Sequence, residues 1–435
     1  MIGLTDTAYL GRVGEVELGA SALAGVYYLV IYMLGFGFSV GAQVLIARRN
    51  GAQDYTRIGP VFMQGALFLL LLAATLFTVS HFYSPVILRK LIGSDEVYQA
   101  TMSYIDWRVY GFFFSFIAVM FRAFYVGITK TKILTANSVV MVLTNVVLNY
   151  ILIFGKFGFP ALGIAGAAIA SSISEAVSVL FFIIYTWKKI DYKKYGMFSF
   201  TGIDFRMLKQ ILNVSIWIMV QHGIAFIGWF IFFVVMEHQG ERPLAITNVV
   251  RSISSFLFMF VNAFASTSSS LVSNLIGAGE IKCVPGTIRQ HIRIGYIFVL
   301  PLVILFALFP NLILSIYKDI PDLREASIPS LWVLCSAYLI LVPANVYFQA
   351  VSGTGNTRTA LGLELCVLAI YLIYITYMIL YLRVDVAVCW TTEHLYGICI
   401  LFLSYLYIKK GNWQKKQILP DFCLSSQHYY GREHK

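Results

Sequence analysis

Between Val61 and Val79 the chain reads VFMQGALFLLLLAATLFTV, with no charged side chain. At about 1.5 Å of rise per residue, a helix of this length covers nearly all of the roughly 30 Å of hydrocarbon in a bilayer. Its apolar residues run consecutively instead of alternating, which marks a membrane helix and not a barrel strand. Runs of the same kind recur along the chain, and we assign full spans to residues 22–47, 61–79, 104–125, 134–154, 162–187, 208–236, 245–276, 294–317, 327–351, 359–382 and 386–408. Composition agrees: of 435 residues 59% are hydrophobic and 12% charged, with a mean hydropathy of +0.77, more apolar surface than a water-soluble fold can hide. The fold class expected is an all-α polytopic membrane protein.

Residues 1–10 are apolar but only about half the length needed to cross. They read as a first helix truncated at the N-terminus, so the native product is expected to be longer. They lack the basic n-region and small-residue cleavage site of a secretory signal. The net charge of +11 has a topological reading, since alternate loops collect 22 Lys and Arg on one side, among them Arg48, Arg49, Lys188, Lys189, Lys193, Lys194, Lys409 and Lys410, against eight on the other. The positive-inside rule makes the richer side cytoplasmic, and with it the C-terminus. This distribution argues against nucleic acid as a partner and for membrane lipid. The six cysteines show neither metal-ligand spacing nor a disulfide framework.

The longest polar connection divides the spans into two halves. Gly127-Ile128-Thr129-Lys130-Thr131 and Gly355-Asn356-Thr357-Arg358-Thr359 share one pattern at an offset of 228, each preceded by a Phe-x-Ala at Phe121 and Phe348. A second echo, at an offset of 226, pairs Gly51-Ala52 with Gly277-Ala278. We therefore expect two pseudo-symmetric six-helix bundles, 1–190 and 208–410, with a cytoplasmic linker at 191–207 and a cytoplasmic tail at 411–435. Even span numbers make the repeat parallel, an arrangement that places substrate between halves that rock around it.

The stretch Asp6-Thr7-Ala8-Tyr9-Leu10-Gly11-Arg12-Val13-Gly14, then Gly41-Ala42-Gln43 and Ala47-Arg48-Arg49-Asn50-Gly51-Ala52, resembles the opening of multidrug and toxic compound extrusion (MATE) transporters. Gly163-Ile164-Ala165-Gly166-Ala167-Ala168 and Ile276-Gly277-Ala278-Gly279 extend the likeness from Met1 to about Lys410. The resemblance implies export of drug-like molecules, often organic cations, in exchange for sodium ions or protons. It also implies a cation site at Asp6, Asn145, Asn149 and Ser171, of which Asp6, Asn145 and Asn149 would be sodium ligands.

Independent physics favours a polar pocket at these positions. Asn145 and Asn149 stand four apart in one helix and share a face, as do Ser171 and Glu175 in another. Polar groups in hydrocarbon are costly unless they face one another or a cavity. Hard oxygen ligands suit sodium, and a carboxylate withdrawn from water can instead carry a proton. Glu175 reads either as a further cation ligand or as the partner of an interior basic group. Asp106 and Arg108 read as an interfacial ion pair. In the second half Trp217, Gln221, His222, Trp229 and Glu393 are candidates for the substrate cleft. Phe232 stands opposite Asp6 in the repeat, so the cation site is expected in one half only.

No His-Glu-x-x-His, Gly-rich phosphate loop or clustered His/Asp set points to an enzyme. The reading is a secondary active antiporter of the inner membrane, multi-pass, needing no cofactor beyond its coupling ion, exporting a small-molecule substrate and working as a monomer. Two alternatives stand beside it: a related flippase for lipid-linked oligosaccharides, and an inactive truncated product.

Overall fold

Each apolar run ends where the sequence supplies a reason to stop. The first long helix, α1 (Glu15–Gly51), closes on Arg48 and Arg49, and α6 (Gly163–Lys189) on Lys188 and Lys189. These are cations at the negative end of a helix dipole. Helix α5 (Lys132–Phe154) stops at Gly155, whose φ of 66° lies in the left-handed region that glycine reaches without strain. The computed structural model describes residues 5–6, 9–197, 202–315, 321–410 and 412–415. The tail expected at 411–435 therefore falls outside the described residues except at 412–415, and of residues 1–10 only 5–6 and 9–10 are described, all four helical.

Between these lie α2 (Ile58–Leu91), α3 (Asp95–Arg108) and α4 (Gly111–Gly127). Beyond α6 follow α7 (Phe205–Glu237), α8 (Glu241–Gly277), α9 (Val284–Leu308), α10 (Pro310–Ser315), α11 (Pro321–Gly353), α12 (Thr357–Thr376), α13 (Val386–Cys389) and α14 (Thr392–Lys410). Among the described residues ten helical segments are long and apolar enough to cross a membrane, and an eleventh crossing is formed if α3 and α4 act together. The chain is a multi-pass, all-α membrane protein. The span assigned to 104–125 falls on α3 and α4, which meet at a 53° bend.

The chain forms two compact units, one of Met1–Ile46 with Asp54–Met219, the other of Ala47–Gln53 with Val220–Lys435. The division falls inside α7, not at the polar connection 191–207. In the first unit α6 is the shared neighbour of α3, α4 and α5. Its small residues allow this, for Gly166 lies so close to α5 that an added Cβ would stand 2.6 Å from the Leu152 carbonyl oxygen. That approach brings the Asn145 and Asn149 face of α5 against Ser171 of α6. Leu71, Phe82 and Leu143 are exposed, as side chains facing lipid should be.

In the second unit α11 is central and packs on α8, α9 and α14. Its core holds Phe232, Tyr338 and the fully buried Trp390. The end of α1 also belongs here: Arg48 donates from Nη2 to the Thr354 carbonyl at 2.9 Å, and Asn50 Nδ2 donates to Asn274 Oδ1 at 2.7 Å.

Candidate functional site

The Asp6 carboxylate is 3% exposed and sits where α3, α5 and α6 of the first unit converge. Its Oδ1 accepts from Asn149 Nδ2 at 2.8 Å and Asn145 Nδ2 at 3.2 Å. Its Oδ2 accepts from Ser171 Oγ at 2.6 Å and Tyr104 OH at 3.2 Å. Asn145 also donates to Ser171 Oγ at 3.1 Å, and its Oδ1 accepts from Thr5 Oγ1 at 2.8 Å. Four donors on a buried carboxylate offset much of the desolvation it suffers, since a hydrogen bond to a charged group contributes about 1.5–3 kcal/mol.

All four donors are electrically neutral. Among the described residues no lysine or arginine reaches Asp6, so its charge is solvated by dipoles and not balanced by a cation. Asn149 Oδ1 is buried and has no hydrogen-bond partner among the described residues. A carbonyl oxygen left without a donor beside an anion is a costly arrangement in a low-dielectric interior, and one that a positive ion relieves. The donor set of carboxylate, amides and hydroxyls is the hard-oxygen chemistry of sodium, and its carboxylate is equally able to hold a proton. Asp6, Asn145, Asn149 and Ser171, singled out from the sequence, are thus brought within hydrogen-bonding distance of one another.

Glu175 is placed differently from a cation ligand. One helical turn along α6 from Ser171, its Oε1 accepts from Arg108 Nη2 at 2.6 Å and its Oε2 from Arg108 Nη1 at 2.8 Å. Tyr28 OH lies 3.0 Å from both oxygens. These contacts match the second of its two readings, partner of a buried basic group. Arg108 accordingly pairs with Glu175 and not with Asp106, which is exposed.

The cleft candidates fall in both units. Trp217 belongs to the first unit, while Gln221, His222, Trp229 and Glu393 belong to the second. Trp229 packs 6.1 Å from Phe232 and 6.4 Å from Trp390, inside the aromatic core. Gln221 is 6% exposed, and Glu393 lies in the first turn of α14. Sequence reasoning missed Tyr104, Thr5 and Tyr28. Tyr104 carried a usable signal, since it stands four residues before Arg108 and shares its helix face.

A family model described as MatE matches residues 1–151 and 218–378. Among curated relatives, the probable multidrug resistance protein NorM of Agrobacterium fabrum is 28% identical over 359 residues, covering 81% of this chain and 74% of that protein. The probable multidrug resistance protein NorM of Thermotoga maritima is 23% identical over 423 residues, 96% of this chain and 90% of that protein. Among solved structures, an outward-facing multidrug resistance MATE family transporter of the MOP superfamily superposes with a TM-score of 0.87 at 20% identity, covering 96% of this chain and 92% of that one. A MOP superfamily transporter from Pyrococcus furiosus gives 0.86 at 20% identity over the same shares. At such identity the structural likeness speaks for the fold.

Proposed function

Since the chain belongs to the MATE family of multidrug efflux transporters, we propose that it is a secondary active antiporter, exporting drug-like or organic cationic molecules in exchange for a monovalent cation bound at Asp6. The observation that carries this reading is the buried, uncompensated Asp6 carboxylate beside the unpartnered Asn149 Oδ1. A site built this way is short of one positive charge. Asp6, Asn149 and Asn145 would hold sodium, and Asp6 would hold a proton, with Ser171 and Tyr104 releasing or restoring hydrogen bonds as the charge arrives and leaves.

For a substrate without net charge the membrane potential is a usable driving force. One charge moving down a 100 mV potential releases roughly 2.3 kcal/mol, enough for about fiftyfold accumulation of an uncharged substrate. The lysine- and arginine-rich loops support a reading in which the linker and C-terminus lie on the cytoplasmic side of the inner membrane. The flippase alternative needs basic groups free to meet a phosphate. Arg108, inside the first unit, is instead committed to Glu175.

The test is efflux of a fluorescent organic cation from proteoliposomes under a sodium gradient and, separately, a proton gradient. One gradient is expected to drive efflux and its collapse to stop it. Efflux indifferent to both gradients contradicts the proposal.

A further inference from the structure

Two polar layers, one helical turn apart, share the same two helices. In the first, Tyr104 of α3 and Ser171 of α6 both donate to Asp6 Oδ2. In the second, Arg108 of α3 and Glu175 of α6 form a bidentate pair, both residues under one-tenth exposed. The pair is held on several sides. The Arg108 guanidinium lies 3.6 Å from the Tyr28 ring centroid, a cation–π contact, and Tyr28 OH closes on the carboxylate. Gly111, at the bend between α3 and α4, lets the pair sit against the backbone: an added Cβ would clash with Arg108 Nη1 and stand 2.6 Å from Glu175 Oε2. Ser172 Oγ donates to the Trp107 carbonyl at 3.2 Å and ties the same two helices.

Charge counting gives this geometry a consequence. The two layers hold two carboxylates and one guanidinium, so their formal sum is one negative charge, which one monovalent cation neutralises. Remove the guanidinium, and two carboxylates a turn apart would face each other in a low-dielectric interior, where like charges resist joint ionisation unless each gains its own cation. Building on the cation-coupled reading above, we propose that Arg108 fixes the coupling at a single cation per cycle by occupying Glu175 and keeping it out of the cation site. Arg108 is a positioning residue: it touches neither Asp6 nor the cation.

The electrostatic role predicts effects of opposite sign for the two partners, which a merely structural pair would not give. Arg108→Gln leaves Asp6 and Glu175 both uncompensated and raises the charge count to two cations. Glu175→Gln leaves a buried guanidinium whose field opposes a cation at Asp6, weakening cation affinity about ten- to a hundredfold. The double variant Arg108→Gln/Glu175→Gln restores the net charge and returns to one cation.

The experiment uses the full chain in proteoliposomes with one fluorescent substrate of zero net charge throughout. The membrane potential at which net transport reverses, under fixed sodium and proton gradients, gives the coupling charges per substrate whichever ion carries them. The result expected is one in the wild type, two in Arg108→Gln, and one in the double variant with cation affinity within about threefold of wild type, while Glu175→Gln needs far more cation to drive efflux. Unfolding temperature in detergent, measured on all four proteins, separates loss of fold from loss of coupling. A count of one in folded Arg108→Gln, or a double variant no better than the worse single, overturns the proposal. Failure of Arg108→Gln to fold, together with a double variant that folds but does not recover, overturns it as well. A wild type whose transport no cation gradient drives overturns the reading of the Asp6 site itself, which is a different result.

Discussion

At Asn149 the two ends of one amide have different surroundings. Nδ2 donates to Asp6 Oδ1 at 2.8 Å and to Asn145 Oδ1 at 3.3 Å, whereas Oδ1 is buried without a donor. Leucine has nearly the same shape and neither function. Asn149→Leu is therefore expected to keep the helix packed and to lower apparent affinity for the coupling cation by about tenfold or more, the loss of one charge-assisted interaction. The cation dependence of efflux measures it, and unchanged dependence would remove Asn149 from the ligand set. This residue was legible because Asn145 and Asn149 repeat at helical spacing inside hydrocarbon, where amides are conspicuous. Tyr104 was only partly so: its spacing from Arg108 puts it on the same helix face, but only the fold shows its hydroxyl on Asp6. Arg108 was visible as a charge, but its partner lies 67 residues away, a distance that local spacing does not read.

The bend between α3 and α4 is the element on which the site depends. It carries Tyr104 and Arg108 toward α6 and then turns α4 by 53°. Nothing in the apolar profile marks it, for the stretch has no proline and the hydrophobic run continues through Val109 and Tyr110. Gly111 was the available sign, and its purpose appears only once the Arg108–Glu175 pair is seen pressed against it. Gly111→Ala is expected to displace the Arg108 and Glu175 side-chain ends and to destabilise the first unit by about 1–3 kcal/mol, the range for overpacking a well-packed interior. Thermal unfolding in detergent reports this as a clearly lowered transition; an unchanged one would show that the pair yields without cost. By contrast the α5–α6 packing was foreshadowed by Gly163 through Ala168, a run of small residues whose use is close backbone approach.

On the scale of the whole molecule, the internal echoes carry physical weight. Gly51 and Gly277, equivalent at an offset of 226, lie on segments that pack together within the second unit. An added Cβ on Gly51 would clash with the Asn274 carbonyl, and one on Gly277 with the Arg48 carbonyl. The repeated glycine is thus explained by a contact between the two copies of the turn. The membrane class and the number of crossings were readable from apolar length alone, while the boundary of the compact units was not, because α7 is continuous through it. Orientation rests on the charge asymmetry of the loops. An alkaline phosphatase domain fused after Lys410 is expected to be inactive and a green fluorescent domain at the same place bright, and the reverse pattern would invert the assigned topology.

Whether cation binding at Asp6 powers export is tested most directly by Asp6→Asn in reconstituted proteoliposomes. The substitution keeps the size and much of the hydrogen bonding of the side chain but removes the charge. Efflux of a fluorescent organic cation, driven in the wild type by a sodium or a proton gradient, should lose its gradient dependence in the variant while the protein keeps its unfolding temperature. Gradient-driven efflux that persists in a folded Asp6→Asn protein would contradict the account.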